Sequence, residues 1–387
     1  MIAAFRSLAA GAALALVSGR LGAQDSGAVQ DTVAPPRYGH FHVGLTIHDY
    51  GISFGNAPRV NGVRLNIEDA GLERVNGVNV TLWKPKDPPT GIVNGLALGL
   101  AGPAADELNG VALGLAGVFG ERRVRWVSVG GLGVVSQGAI EGVTIGGLGT
   151  VAEGSIHGIA IAGLGAVAEH DVQGVMLGGL GAVAERDVWG IAAAGLGVVA
   201  QRDLRGLMVG GLGAVANRSV DGIAIGGMAV VANGGIHGVA IGGLATVSDG
   251  PVGGLAVGGM ATVVGGTVTG VAVSGLATVV NRGIRGVGVG GLALVSSGAL
   301  TGLSLAGYRV EGARVAGVSI AGLYLKTNAL TGVSLSAYNR VRGPQHGLTI
   351  GLYNSAAELH GVQIGVLNRA KNNRAPFKIL PILNVHL

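Results

Sequence analysis

The chain has 387 residues, a net charge of +5, 49% apolar residues and only 12% charged ones. That apolar content excludes a disordered glycine linker, and 76 glycines with only 11 prolines and no triplet period exclude collagen. Lys and Arg nowhere run together with aromatics, so nucleic acid is not an expected partner; with no cysteine, no disulfide contributes to stability.

The first 23 residues have the layout of a secretory signal peptide: Arg6, an apolar run from Leu8 to Val17, then Leu21-Gly22-Ala23 ahead of Gln24. The run is short for a membrane-spanning helix. Export is therefore the expectation, to the cell surface or outer membrane, followed by a disordered linker over 24–35. An irregular β section is expected at 36–93. It holds the densest set of metal-type ligands, His40, His42 and His48, next to Asp49. Alternation on a strand puts His40 and His42 on one face, as a metal requires. Ordinary strand surface is the competing reading, and no cofactor is expected.

Glycine then recurs with a fixed step. From Gly142 the same position falls at Gly158, Gly174, Gly190, Gly206, Gly222, Gly238, Gly254, Gly270 and Gly286, each sixteen residues on, with Trp126 in phase before them. Asn-Gly pairs at Gly62, Gly77, Gly95 and Gly110 precede the regular series. With that glycine as position zero, positions one and three are aliphatic (Val143 and Ile145), five is glycine (Gly147), and six is Leu or Met (Leu148, Met228). Position nine is valine (Val151) and fourteen is aliphatic (Ile156), while polar residues gather at ten to thirteen. Short β-branched runs broken by glycine are a strand-and-turn signal, and no helical period survives this much glycine.

A fixed short repeat is the signature of a solenoid. The expected fold is all-β, a β-solenoid of about 16-residue coils over 94–346, with like side chains stacked about 4.8 Å apart. Aliphatic ladders are expected inside and glycine ladders at the corners. One coil buries four or five aliphatics, too few to offset the entropy of ordering sixteen residues, so only stacking makes the unit stable. Positions six, nine and fourteen do not share a simple alternation with one and three. Either the glycine bends switch the parity or both faces of the wall are apolar, and the second arrangement suits a membrane or oligomer contact. The alternative architecture is an outer-membrane β-barrel. Against it stand 4% aromatics, units of one length, and Ala, Gly and Thr where a barrel interior would be polar.

Arg186, Arg202 and Arg218 repeat at sixteen-residue spacing beside Asp187 and Asp203. Stacked, they form a basic edge for an anionic glycan or lipid headgroup; the competing reading is a solvated edge of weak ion pairs. Thr246, Thr262 and Thr278 form a short ladder of the flat kind that orders water. The Gly-x-Gly phrases lead into no helix and are not phosphate loops. Ser136, Ser248 and Ser296 lack a His/Asp arrangement, and no catalytic set is expected.

The last 41 residues, 347–387, are expected to hold the final repeats and a cap. Gly347 to Asn354 and Gly361 to Asn368 repeat the phrase Gly-Leu/Val-x-Ile-Gly-x-x-Asn, and Leu380-Pro381 and Asn384 close the chain. This resembles the spirochaete-type bacterial surface repeat-containing proteins. The resemblance implies an exported repeat protein. With no convergent acid, base or metal set in the sequence, the expectation is a non-catalytic envelope protein with a structural or interaction role and an unknown envelope or surface partner, not an enzyme. The central units depart from the phrase, with Thr150, Ala166 and Val230 in place of its asparagine.

Overall fold

The computed structural model describes residues 42–85 and 88–386. The signal peptide and linker read at 1–35, and His40, lie outside the described residues. Among the described residues every regular element is a β-strand, and no helix is long and apolar enough to cross a membrane. The chain divides into two compact units, Met1–Ala200 and Gln201–Leu387.

Each unit is a β-solenoid. In the first, the long strand Ala139–Gly146 pairs in parallel with Ile156–Ala162, which pairs with Val172–Gly178. The short strands Gly149–Ala152, Gly165–Ala168 and Gly181–Ala184 form a second parallel ladder. The second unit repeats the plan with long strands Leu204–Gly210, Ser219–Gly226 and Gly235–Gly242 and short strands Gly213–Ala216, Ala229–Ala232 and Ala245–Ser248. Like stacks on like, as the sequence period demands: Gly158 faces Gly142 and Gly174, and Ile159 faces Val143 and Val175. An up-and-down barrel pairs its neighbours antiparallel, so the outer-membrane barrel alternative is overturned.

Parallel stacking already begins at Tyr50–Phe54 against Asn61–Leu65 and continues to His346–Ile350 against Thr331–Leu335, beyond the limits of 94 and 346 read from the repeat. Antiparallel strands cover an edge of each unit. His42–Ile47 folds onto Tyr50–Gly55 through a tight turn in which His48 (φ 51°) and Asp49 (φ 67°) are left-handed, the pattern of a type I′ hairpin. Ile379–His386 lies against the coil at Gly361–Arg369. Both block the free hydrogen-bonding row that an open sheet edge would present.

Two glycine positions are compulsory for different reasons. Position zero has a left-handed φ, such as +127° at Gly158, and a Cβ there would lie 2.2 Å from the carbonyl oxygen of Gly142. Position five is the tight corner: a Cβ on Gly243 would lie 1.9 Å from the Gly227 carbonyl oxygen. Trp126 stands in the position-zero column at φ 81°, a conformation costly for any residue with a Cβ.

The aliphatic ladders are not where the sequence placed them. Val143 and Ile145 at positions one and three point outward, as do Leu148 at six and Val151 at nine; Thr144, Gly146, Thr150 and Ala152 point inward. The repeat is an even number of residues and the alternation survives the glycine at zero, so positions two, four, eight, ten and fourteen are always inside. Two walls joined by tight turns leave a narrow interior. Ala, Thr, Ser and Gly fill most of it, and the residue at fourteen (Ile156, Val172, Val188) is its large component. Both faces of the wall are therefore apolar, small residues within and large ones without.

Candidate functional site

The outward rows divide each coil into a charged corner and an uncharged ribbon. At the charged corner of the first unit, Glu169 lies between Glu153 and Glu185 of neighbouring coils. Burial and these two carboxylates raise its pKa, against the opposing effect of His170. In the second unit the backbone of Arg218 donates to the carbonyl of Arg202, so these two arginines stack in adjoining coils. Asp203 lies beneath them. Burial pushes its carboxyl up, but the hydroxyl and N–H of Ser219 (2.8 and 3.1 Å), with Arg218 and Arg205, hold it below the usual carboxylate range. Arg218 Nη1 is 3.7 Å from Asp203, so part of its charge is met within the protein. Arg186 occupies the same coil position in the first unit and is partly buried.

Three other readings change. His42 begins its strand and His48 follows its end; six residues of extended chain set them about 20 Å apart, too far to share a metal. Among the described residues no group of three or more His, Cys, Asp or Glu is placed to hold a metal ion. The threonine ladder is interior: Thr246, Thr262 and Thr278 are fully buried and donate to the carbonyls of Val257, Val273 and Val289. It caps backbone and cannot order surface water. Ser136, Ser248 and Ser296 are likewise buried; Ser136 and Ser248 donate to main-chain carbonyls.

Sequence reasoning missed two polar networks in the interior. Arg64 is fully buried and donates through Nη1 to Asp69 (2.7 Å) and Asn79 (3.0 Å), while Asn66 and Asn79 donate to the same carboxylate oxygen. Burial lowers the Arg64 pKa against the opposing pull of Asp69. In the second unit Asn339 donates to Asn354 (2.8 Å) and Asn354 to Asn368 (2.7 Å), all fully buried. Asn339 also donates to the Ile350 carbonyl, as Thr150 does to that of Ile161 in the first unit. The asparagine of the C-terminal phrase and the threonine of the central units thus cap the same carbonyl, one coil on. For the threonines the even spacing from the position-zero glycine was the available signal; the asparagines stand seven residues after theirs, because the last coils are shorter, and parity alone would have put them outside.

The uncharged ribbon runs from position one to position ten. In the coils that start at Gly95, Gly110, Trp126, Gly142, Gly158, Gly174 and Gly190 it contains no charged residue. Its centre is a furrow. At residues 80–131 Leu82, Leu98, Leu100, Leu113, Leu115 and Val129 line an open apolar groove of about 580 Å³ with no titratable lining; Leu115 stands in the column that glycine fills from Gly131 onward. Compared with models of protein families, with curated proteins and with solved structures, the chain matches none.

Proposed function

We propose that this chain is a non-catalytic repeat scaffold of the bacterial envelope, exported and held at the cell surface or outer membrane, that works by presenting extended surfaces to other molecules. The observation that carries this reading is the outward turn of the large aliphatic rows. Leu132, Leu148, Leu164, Leu180 and Leu196 are exposed in successive coils, where a soluble monomer would keep such a contiguous apolar surface covered. The layout of the first 23 residues and the C-terminal phrase support export. Fractionation of cells with protease shaving tests the reading: the chain should be found in the envelope and be cut on intact cells, and confinement to the cytosol would overturn it.

The charged corner gives the proposal its polar partner, an anionic glycan or lipid headgroup, met in the second unit by Arg202 and Arg218 and in the first, separately, by Arg186. Binding of the protein to anionic vesicles or polysaccharide should weaken with salt, because exposed charges are screened. It should fall when all three arginines become serine, with the melting temperature nearly unchanged. Salt-independent binding, or none, would leave the arginines as a solvated edge.

A further inference from the structure

We propose that the outward wall of the last coils, at 324–371, binds a linear polysaccharide that carries carboxylates, laid along the stacking direction with its anions on a strip of basic side chains. This rests on the reading of the chain as a surface-presenting scaffold, and it names a surface distinct from the charged corner of Arg186, Arg202 and Arg218.

Two outward columns of the second unit change character at one coil. One runs through Ala261, Ala277 and Ala293, the other through Val263, Val279 and Val295. In the same register Arg309, Tyr324 and Tyr338 continue the first, and Glu311, Lys326 and Arg340 the second. The ring of Tyr338 stacks on Tyr324 at 5.3 Å and, on its other side, on Tyr353 at 4.9 Å. The buried ladder of Asn339, Asn354 and Asn368 runs beneath, so Arg340, Ser355 and Arg369, each one residue on, share the second column. Two residues further on, Arg342 and Lys371 are exposed as well.

The charge of the chain is concentrated here. Residues 309–387 hold nine Lys and Arg against two Asp and Glu, a net +7, while the whole chain is +5. Of the two carboxylates, Glu311 is held by Arg309 and Lys326, and Glu358 lies three residues past Ser355. Packing asks for none of this, since the same columns are Ala and Val in the preceding coils. Like charges about 5–7 Å apart repel, so the strip costs stability until an anion offsets it.

The shape selects the ligand. A pyranose in an extended glycan is about as long as the ~4.8 Å coil spacing, so successive sugars meet successive coils. The guanidinium fork matches a carboxylate, and the tyrosines offer hydroxyls to those of the sugar. The asparagine ladder fixes both columns, so little ordering entropy is lost on binding. Single-stranded nucleic acid fits less well, because bases stack on free aromatic faces and both faces of Tyr338 are covered by tyrosine. A bilayer presents its anions as a plane, whereas these cations stand in a strip about 7 Å wide.

Titration calorimetry of the mature chain should show binding to alginate or polygalacturonate that weakens with salt, and none to neutral dextran. Arg340→Ser with Arg342→Ser and Arg369→Ser should lower that affinity about tenfold or more. The circular dichroism melt should not change, because all three side chains are exposed. Tyr338→Phe with Tyr353→Phe keeps the ring stack; it should weaken the polysaccharide about threefold and leave poly-glutamate binding unchanged. A parent that binds neither polysaccharide overturns the proposal, as does equal affinity for poly-glutamate or binding that survives the arginine changes. Binding lost only when Arg186, Arg202 and Arg218 become serine would place the glycan at the charged corner instead. Tighter binding to phosphatidylglycerol vesicles, lost in the Arg340, Arg342 and Arg369 variant, overturns the proposal in favour of lipid. A cytosolic location would sink the envelope reading and leave this surface to be decided by titration alone.

Discussion

Asparagine stacks on asparagine in both units, and the two stacks face opposite ways. In the first unit Asn61, Asn76, Asn94 and Asn109 precede the position-zero glycines and form an outward amide ladder, with contacts of 2.7, 2.8 and 3.1 Å. In the second, Asn339, Asn354 and Asn368 form the buried ladder at the inner end of the phrase shared by the last coils. The hydrogen-bond lengths are alike; the surroundings differ. An outward amide that loses its neighbour turns to water. An inward one leaves its partner unsatisfied in a medium that offers no substitute. The direction in which a coil position points, more than the residue that fills it, sets the cost of change.

The position that admits no side chain at all should be the most sensitive. Gly243→Val places a Cβ against the Gly227 carbonyl, and the loss should be on the order of 3 kcal/mol or more; a mutant that melts like the parent would show that the corner relaxes freely. Next is the inner ladder. Asn354→Ala removes donors to Asn368 and the Ile364 carbonyl, and should cost about 2–4 kcal/mol in denaturant melts of the second unit. A cost equal to that of an outward asparagine would break the comparison. Trp126→Gly runs the other way. It relieves a left-handed residue whose side chain is 71% exposed, so a gain of about 1 kcal/mol is expected after the extra unfolded-state entropy of glycine.

The charged corner adds a pH-dependent case. The folded-state pKa of Glu169 is raised by burial and by Glu153 and Glu185. Stability tied to this group is therefore full below the unfolded value and is lost as pH rises through the folded one. Glu169→Gln should raise the melting temperature at neutral pH and leave it unchanged below about pH 4. The gain should stay under ~1 kcal/mol because the corner is well solvated. An equal shift at both pH values would point to packing instead. Smallest of all should be Asn76→Ala in the outer ladder, under about 0.5 kcal/mol. A loss near that of Asn354→Ala would mean that the outer ladder is covered, as by a partner.

The period alone determined much of this protein. A glycine every sixteen residues, phase kept through the central units, forces like onto like and yields parallel coils whose corners and bends are glycine. The repeat also carried the information on sidedness, since an even period returns each coil position to the same side of the wall in every coil, the corner at five and six aside. What it could not say is which way. Val143 and Ile145 look like core by composition, and Thr144 and Gly146 do not; in isolation either set would serve as an interior. The closeness of the two walls decided it: tight turns leave space for alanine, threonine and glycine between the sheets and none for two facing aliphatic rows. The same fact hid the site. Leu132 and Leu164 become a ridge, and the threonines a set of interior caps, only when the coil closes around a space too narrow for anything larger.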